Sequence, residues 1–361
     1  MSHSTWFLTA VSIGTSLVLG YPAIAAKSAA KLTSIAQVPN VKIQLDRRWG
    51  NALTLQDEPT DAEAYHVRAR MKEENLNDIQ GALADYNRAI SLNPKLAKSY
   101  NNRGLLKKNN FNDIQGALAD FDRAISLNPQ LAQVYSNRGL LKDEKLNDSR
   151  GALADYDQAI ILSPELAVLY YNRGFLKDRK LGDIQGALTD YDRAITLNPK
   201  FTRAYSNRGL LKDEKLNDSQ GALTDYDRAI TLDPQLAEPY SNRGILKYKK
   251  LNDSQGALAD FNRAITLSPT YALPYYNRGI LKNDKLNDSK GALADYDRAI
   301  SLDPTSANAY NNRGILKNNQ LNDRAGAIQD FRQAAKLFRA QGQTQNLQKA
   351  LNNLRKLDAT E

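Results

Sequence analysis

An arginine and an aspartate return together through most of this 361-residue sequence. The arginine stands at Arg68, Arg103, Arg138, Arg173, Arg208, Arg243, Arg278 and Arg313. The aspartate stands at Asp85, Asp120, Asp155 and onward to Asp330. Their chemistry is either a row of anion-binding guanidiniums or a repeated Arg–carboxylate pair that satisfies a partly buried charge. Equal numbers and strict co-repetition favour the pair. Lys107 and its equivalents, four residues after each arginine, lay their stems over the same region.

A second series runs beside the first: Asn102, Asn137, Asn172, Asn207, Asn242, Asn277 and Asn312. On a helical wheel Asn102 lies opposite Tyr100, together with Lys98, Leu105 and Asn109. Next to it runs the apolar series Leu105, Leu140, Phe175, Leu210, Ile245, Ile280 and Ile315. Asparagine offers a donor and an acceptor to a peptide backbone, and aliphatics offer side-chain pockets. The competing reading has each asparagine bonded to the adjoining copy and the aliphatics filling space between helices. The sequence leaves these two readings even.

Other chemistries are excluded or poorly supported. No cysteine is present, and histidine occurs only at His3 and His66, so thiolate chemistry, a histidine relay and a histidine-rich metal site are not expected. Asp143, Glu144 and Asp148 lack the ligand alternation and turn glycine of a calcium loop, and a solvated turn with a helix cap explains them better. Asn147, Asn217, Asn252 and Asn287 fit the N-x-S glycosylation pattern, a match that is accidental if the chain is bacterial. No phosphate loop, nucleophile elbow or zinc motif appears. Acidic pairs recur in many equivalent copies, whereas a catalytic site is a single constellation. No catalytic residue, cofactor or metal is therefore expected. The net charge of +9 is diffuse: residues 27–60 carry +2, residues 323–361 carry +3, and the copies between alternate near neutrality. No basic stripe for nucleic acid stands out.

The elements that must position these side chains repeat every 35 residues, as the glycines at Gly104, Gly139, Gly174, Gly209, Gly244, Gly279 and Gly314 show. Each unit holds two helical segments. Asp113 and its equivalents stand where an N-cap belongs, and Pro129 and its equivalents stop the second helix. Ala117, Phe121 and Ala124 share one face of that helix. Small residues opposite large ones let two helices pack closely.

Tyr100, Gly104, Ala117, Phe121, Ala124 and Pro129 match in kind and order the signature of the tetratricopeptide repeat (TPR). The wording of the units resembles exported TPR arrays of cyanobacteria and other bacteria, over about residues 62–341. Departures are the 35-residue period, Lys107 in place of an aromatic, Ala69 and Val67 in the first copy, and Arg339 in place of the last proline. The resemblance implies an all-α, right-handed superhelical solenoid of eight antiparallel helix pairs, with first helices lining a concave groove. In chaperone-binding members an asparagine in this setting contacts the ligand backbone or terminal carboxylate. Here the neighbouring positions are mixed: Lys98, Gln133, Val168, Arg203, Glu238, Leu273 and Asn308.

The chain is thus expected to comprise a signal peptide at 1–25, a linker at 26–42 and a capping half-repeat at 43–61. Eight repeats follow at 62–341 and a capping helix at 342–361. The apolar run from Trp6 and the small residues near Ala25 predict export to the periplasm, thylakoid lumen or envelope. The alternative is an anchor formed by residues 6–26, and only then a membrane contact. The expected function is a non-catalytic scaffold holding a protein or peptide partner. Alternatives are a membrane-tethered structural or carbohydrate-facing envelope protein, or an RNA binder like the pentatricopeptide family.

Overall fold

The computed structural model describes residues 59–358. The leader, linker and most of the capping half-repeat expected before the first repeat lie outside the described residues. Among the described residues every regular element is helical. The repeats are eight helix pairs. They are α1 (Ala62–Asn75) with α2 (Ile79–Leu92), α3 (Ala97–Leu106) with α4 (Ile114–Leu127), α5 (Ala132–Lys145) with α6 (Ser149–Leu162), and α7 (Ala167–Leu176) with α8 (Ile184–Leu197). The series continues as α9 (Thr202–Lys215) with α10 (Ser219–Leu232), α11 (Ala237–Lys249) with α12 (Ser254–Leu267), α13 (Ala272–Lys285) with α14 (Ser289–Leu302), and α15 (Ala307–Asn319) with α16 (Arg324–Ala340). A final helix, α17 (Thr344–Asp358), closes the chain. The fold class is all-α, a solenoid of helix pairs. The chain divides into two compact units, one ending at Leu211 and the other beginning at Lys212.

One dipeptide ends each first helix and begins each second. Asn147 takes the left-handed conformation (φ 52°) that lets a helix terminate, and Asp148 donates its N–H back to the Lys142 carbonyl at 2.9 Å. The Asp148 carboxylate then accepts from Gly151 N at 2.8 Å as the cap of α6. The expected caps recur at Asp78, Asp113, Asp183, Asp218, Asp253, Asp288 and Asp323. In the α7–α8 turn the left-handed residue is Gly182 (φ 67°), which bears that conformation without a Cβ penalty. Two first helices, α3 and α7, finish in π-helical turns, Lys107–Phe111 and Lys177–Leu181.

The core of each pair is a large ring pressed on a small residue. A Cβ on Gly139 would sit 3.0 Å from the Tyr156 ring, and one on Gly174 would sit 3.0 Å from Asp190 Cβ and 3.2 Å from the Tyr191 ring. Ala152, Tyr156 and Ala159 are fully buried, as are their equivalents in most repeats. Leucines at the next helix complete the cluster: Leu141 packs against Ala117 and Phe121, and Leu176 against Ala152 and Tyr156. With Arg339 where the other copies have proline, α16 runs 17 residues against 14 in the other second helices. Leu347 and Leu351 of α17 pack on Ala334, Ala335 and Phe338, and Leu354 packs with Phe331.

Candidate interaction surface

Seven of the arginines pair with their aspartates as expected, each pair is joined by a lysine, and six of them also reach the preceding second helix. Arg173 donates from Nε to Asp190 Oδ2 at 2.9 Å and from Nη2 to Oδ1 at 2.6 Å. Its remaining arm, Nη1, reaches Asp157 of the preceding second helix at 2.7 Å. Lys177 ion-pairs with Asp190 Oδ2 at 2.8 Å, so the lysine series is part of the network and not merely draped over it. Burial pulls the Arg173 guanidinium down, but its bonds to Asp190 and Asp157 outweigh that and hold it above the usual arginine range. At Asp85 burial pushes up, and Arg68 and Lys72 together hold the carboxyl below its usual range. Two copies differ in the bridging acceptor: Arg103 reaches Asn87 and Arg278 reaches Asn262, both neutral. The guanidiniums are therefore spent on holding repeats together. They also lie over the tyrosine three residues earlier, as Arg138 does over Tyr135 at 5.7 Å.

The residues weighed for calcium are likewise engaged. Asp143 ion-pairs with Lys180 at 2.7 Å, Glu144 with Lys108 at 2.8 Å, and Asp148 is a cap. Among the described residues no cluster of His, Cys, Asp and Glu is arranged to hold a metal.

The asparagine series divides. Asn137 Nδ2 donates to Asn101 Oδ1 at 2.9 Å, Asn207 Nδ2 to Tyr171 Oη at 3.0 Å, and Asn312 Nδ2 to Tyr276 Oη at 3.1 Å. Each of these bonds spans two neighbouring first helices. Asn102 accepts from its neighbour Asn101 at 2.9 Å. Asn277 turns inward and donates to Leu273 O of its own helix at 3.0 Å. The Asn172 amide nitrogen is covered and has no acceptor, and Asn242 is half-buried. What separates these cases is the residue ahead of the previous copy's asparagine. Where it is Asn101, Tyr171 or Tyr276 it reaches the next repeat. Where it is Ser136 or Ser241 it is too short. Sequence reading centred on the asparagines overlooked this preceding position, whose alternation between serine and longer side chains was visible in the chain.

Most of the apolar series is half-buried and packed between helices. Leu105 and Leu140 lie on the clusters around Phe121 and Tyr156. Ile245, Ile280 and Ile315 lie on those around Phe261, Tyr296 and Phe331. Leu210 is half-buried on α9. Phe175 stands apart: it is 39 % exposed and stacks on Tyr171, with ring centroids 6.4 Å apart and planes at 28°. Tyr171 in turn packs 4.8 Å from Phe201 and 6.1 Å from Tyr191. Among the described residues no helix is long and apolar enough to cross a membrane.

Two repeat profiles match the chain. One, described as a TPR repeat, covers residues 177–212, 215–251 and 285–320. The other, a tetratricopeptide repeat, covers 62–96. The chain is a tetratricopeptide repeat protein. Solved structures agree on the fold. A tetratricopeptide repeat protein from Parabacteroides merdae ATCC 43184 aligns at 22 % identity over 71 % of this chain and 98 % of its own, with TM-score 0.56. Yeast Tom70 aligns at 22 % identity over 93 % of this chain and 73 % of its own, with TM-score 0.51. PilW, a type IV pilus biogenesis factor, aligns at 18 % identity over 59 % and 96 %, with TM-score 0.53. No curated protein matches the chain. The TPR fold suggests a scaffold for protein–protein interaction, and proteins built from this repeat are generally non-catalytic.

Proposed function

We propose that this TPR protein is an exported, non-catalytic scaffold that holds a protein or extended peptide partner on its row of first helices. Phe175 carries the reading. It is a large, half-exposed aromatic at the position where six other repeats place a leucine or isoleucine and the first places Arg70, supported by Tyr171 from beneath and flanked by Asn172. A rigid ring beside a carboxamide suits an apolar side chain together with the backbone next to it. The charged series do not compete for this role, because each repeat uses them internally. Export rests on the leader at residues 1–25.

A photo-crosslinking amino acid at position 175 of the full-length chain tests the surface in its native host. Covalent capture of a discrete polypeptide is expected there, and not from the same group placed at Ile161 on the second-helix face. Equal yields from both sites, or none from position 175, would reject the first-helix surface. N-terminal sequencing of the mature chain tests export separately: a protein that begins at Met1 rules out a cleaved leader.

A further inference from the structure

Successive repeats of the C-terminal unit are tied unequally. Between α13–α14 and α15–α16, Asn312 bonds Tyr276 at 3.1 Å and Arg313 Nη1 donates to the Asp297 carboxylate at 2.6 Å. Ser289 also bonds Gln320 across that junction. Between α11–α12 and α13–α14 the corresponding ties are weaker. Ser241 stands where Tyr276 would, and its Oγ is fully buried with no partner. Asn277, with no side chain to reach, is bonded within its own helix. Arg278 still reaches back at 2.6 Å, but its acceptor is the neutral Asn262. Beside these stand the exposed Tyr248–Asp284 bond at 2.8 Å and two long bonds to the Pro269 carbonyl in the turn after α12, from Tyr275 at 3.3 Å and Arg298 at 3.5 Å.

Apolar packing does not offset the difference. Leu281 fills the space against Ala257 and Phe261 much as Leu316 does against Ala292 and Tyr296. A carboxylate acceptor makes a bond about twice as strong as a neutral one, and an orphaned buried hydroxyl adds a cost on the same side. The unpartnered serine and the uncharged acceptor are independent features, on a first helix and on a second, and they meet at one junction.

We propose that this junction is a built-in joint, at which α13 to α17 open and tilt as one body against α11–α12. The first-helix face would change its course there, so that a partner lying across Ile245 and Ile280 would set the angle and an unoccupied chain would sample several.

Hydrogen exchange of the full-length chain, followed by mass spectrometry, reads this directly. A tilt alone leaves helical amides bonded, but a joint that opens lets α13 to α17 unfold as one cooperative block, so their amides are expected to share one opening rate, with a step in protection between Leu267 and Ala272. Simple fraying from the C-terminus, graded inward without a step, would overturn the proposal. Asn262→Asp restores the charged acceptor and should slow exchange of the whole α13–α17 block roughly fivefold while leaving α11–α12 unchanged. A block that does not respond would also overturn it. Asp297→Asn serves as the converse variant and should create a second step between Leu302 and Ala307.

Discussion

Asn207 Nδ2 donates to the hydroxyl of Tyr171 at 3.0 Å, across the boundary between two first helices. The tyrosine thereby serves two neighbours. Its ring supports Phe175 and its oxygen fixes the next repeat.

Removing that oxygen should loosen the boundary without disturbing the ring. Tyr171→Phe leaves the Asn207 amide without its acceptor, at a cost of about 1–3 kcal/mol. Thermal unfolding should show the loss. In an Asn207→Leu background the same change should cost far less, because no donor is left unsatisfied.

Ser136→Asn should act in the opposite sense. It places an acceptor where Asn101 provides one for Asn137, within reach of the orphaned Asn172 nitrogen. A gain of about 1 kcal/mol is expected. The gain should vanish when Asn172 is alanine, and its persistence there would show that the new side chain acts elsewhere.

The two carboxylates that hold Arg138 should differ sharply in worth. Asp155 is buried and also ion-pairs with Lys142 at 2.8 Å. Asp155→Ala leaves the partly buried Lys142 without its carboxylate and Arg138 with only the exposed Asp122, at about 3–5 kcal/mol. The side chain of Asp122 is 54 % exposed, and Asp122→Ala should cost no more than about 1 kcal/mol. Urea titrations of the two variants compare them, and similar losses would contradict this division.

His66 should make the first repeat sensitive to acid. The ring is buried, bonds Ser99 at 2.9 Å and lies 5.7 Å from Tyr86. Burial, then the charges of Lys98 and Arg70, lower its pKa to about 3. The unfolded ring takes up a proton near pH 6.5, so folding is favoured above that pH and progressively opposed as pH falls toward 3. By pH 5 the loss is about 2 kcal/mol. The stability difference between wild type and His66→Asn, measured from pH 7.5 to pH 5, should shift by that amount against the wild type. A constant difference would show that the ring protonates freely when folded.

Gly139 should tolerate no side chain. The Tyr156 ring lies 3.0 Å from where a Cβ would stand, and Tyr156 is fully buried. Gly139→Ala must push α5 and α6 apart, at about 1–3 kcal/mol despite the better helix propensity of alanine. Circular dichroism on heating should show the drop.

Much of this architecture was legible in the chain, because its causes are local or strictly periodic. The 35-residue spacing fixed the helix pairs, the Asn-Asp dipeptide fixed their turns, and co-repetition of Arg103 with Asp120 exposed their pairing. A further regularity was present but unread. Four of the five second-helix tyrosines have an acid thirteen residues earlier, as Glu73 precedes Tyr86. Where the ring is Phe121, Phe261 or Phe331 that position holds Lys108, Tyr248 or Asn318. Tyr86 donates to Glu73 at 3.2 Å, whereas the buried Tyr191 hydroxyl has no acceptor although Asp178 holds that position; a phenyl ring needs none.

What the sequence alone determined was therefore the repeat: its helices, its caps and the internal use of its charges. Only the tertiary structure decided which equivalent residues behave alike. A helical wheel treats Asn137, Asn172 and Asn207 as identical, since it records angle within one helix. Their difference lies in a contact with the preceding first helix, 36 residues back for Asn137 and Asn207, whose side-chain length sets whether the amide is held. The same reason separates the junction behind Asn277 from the one behind Asn312. Stacking brings together residues that the local pattern cannot compare.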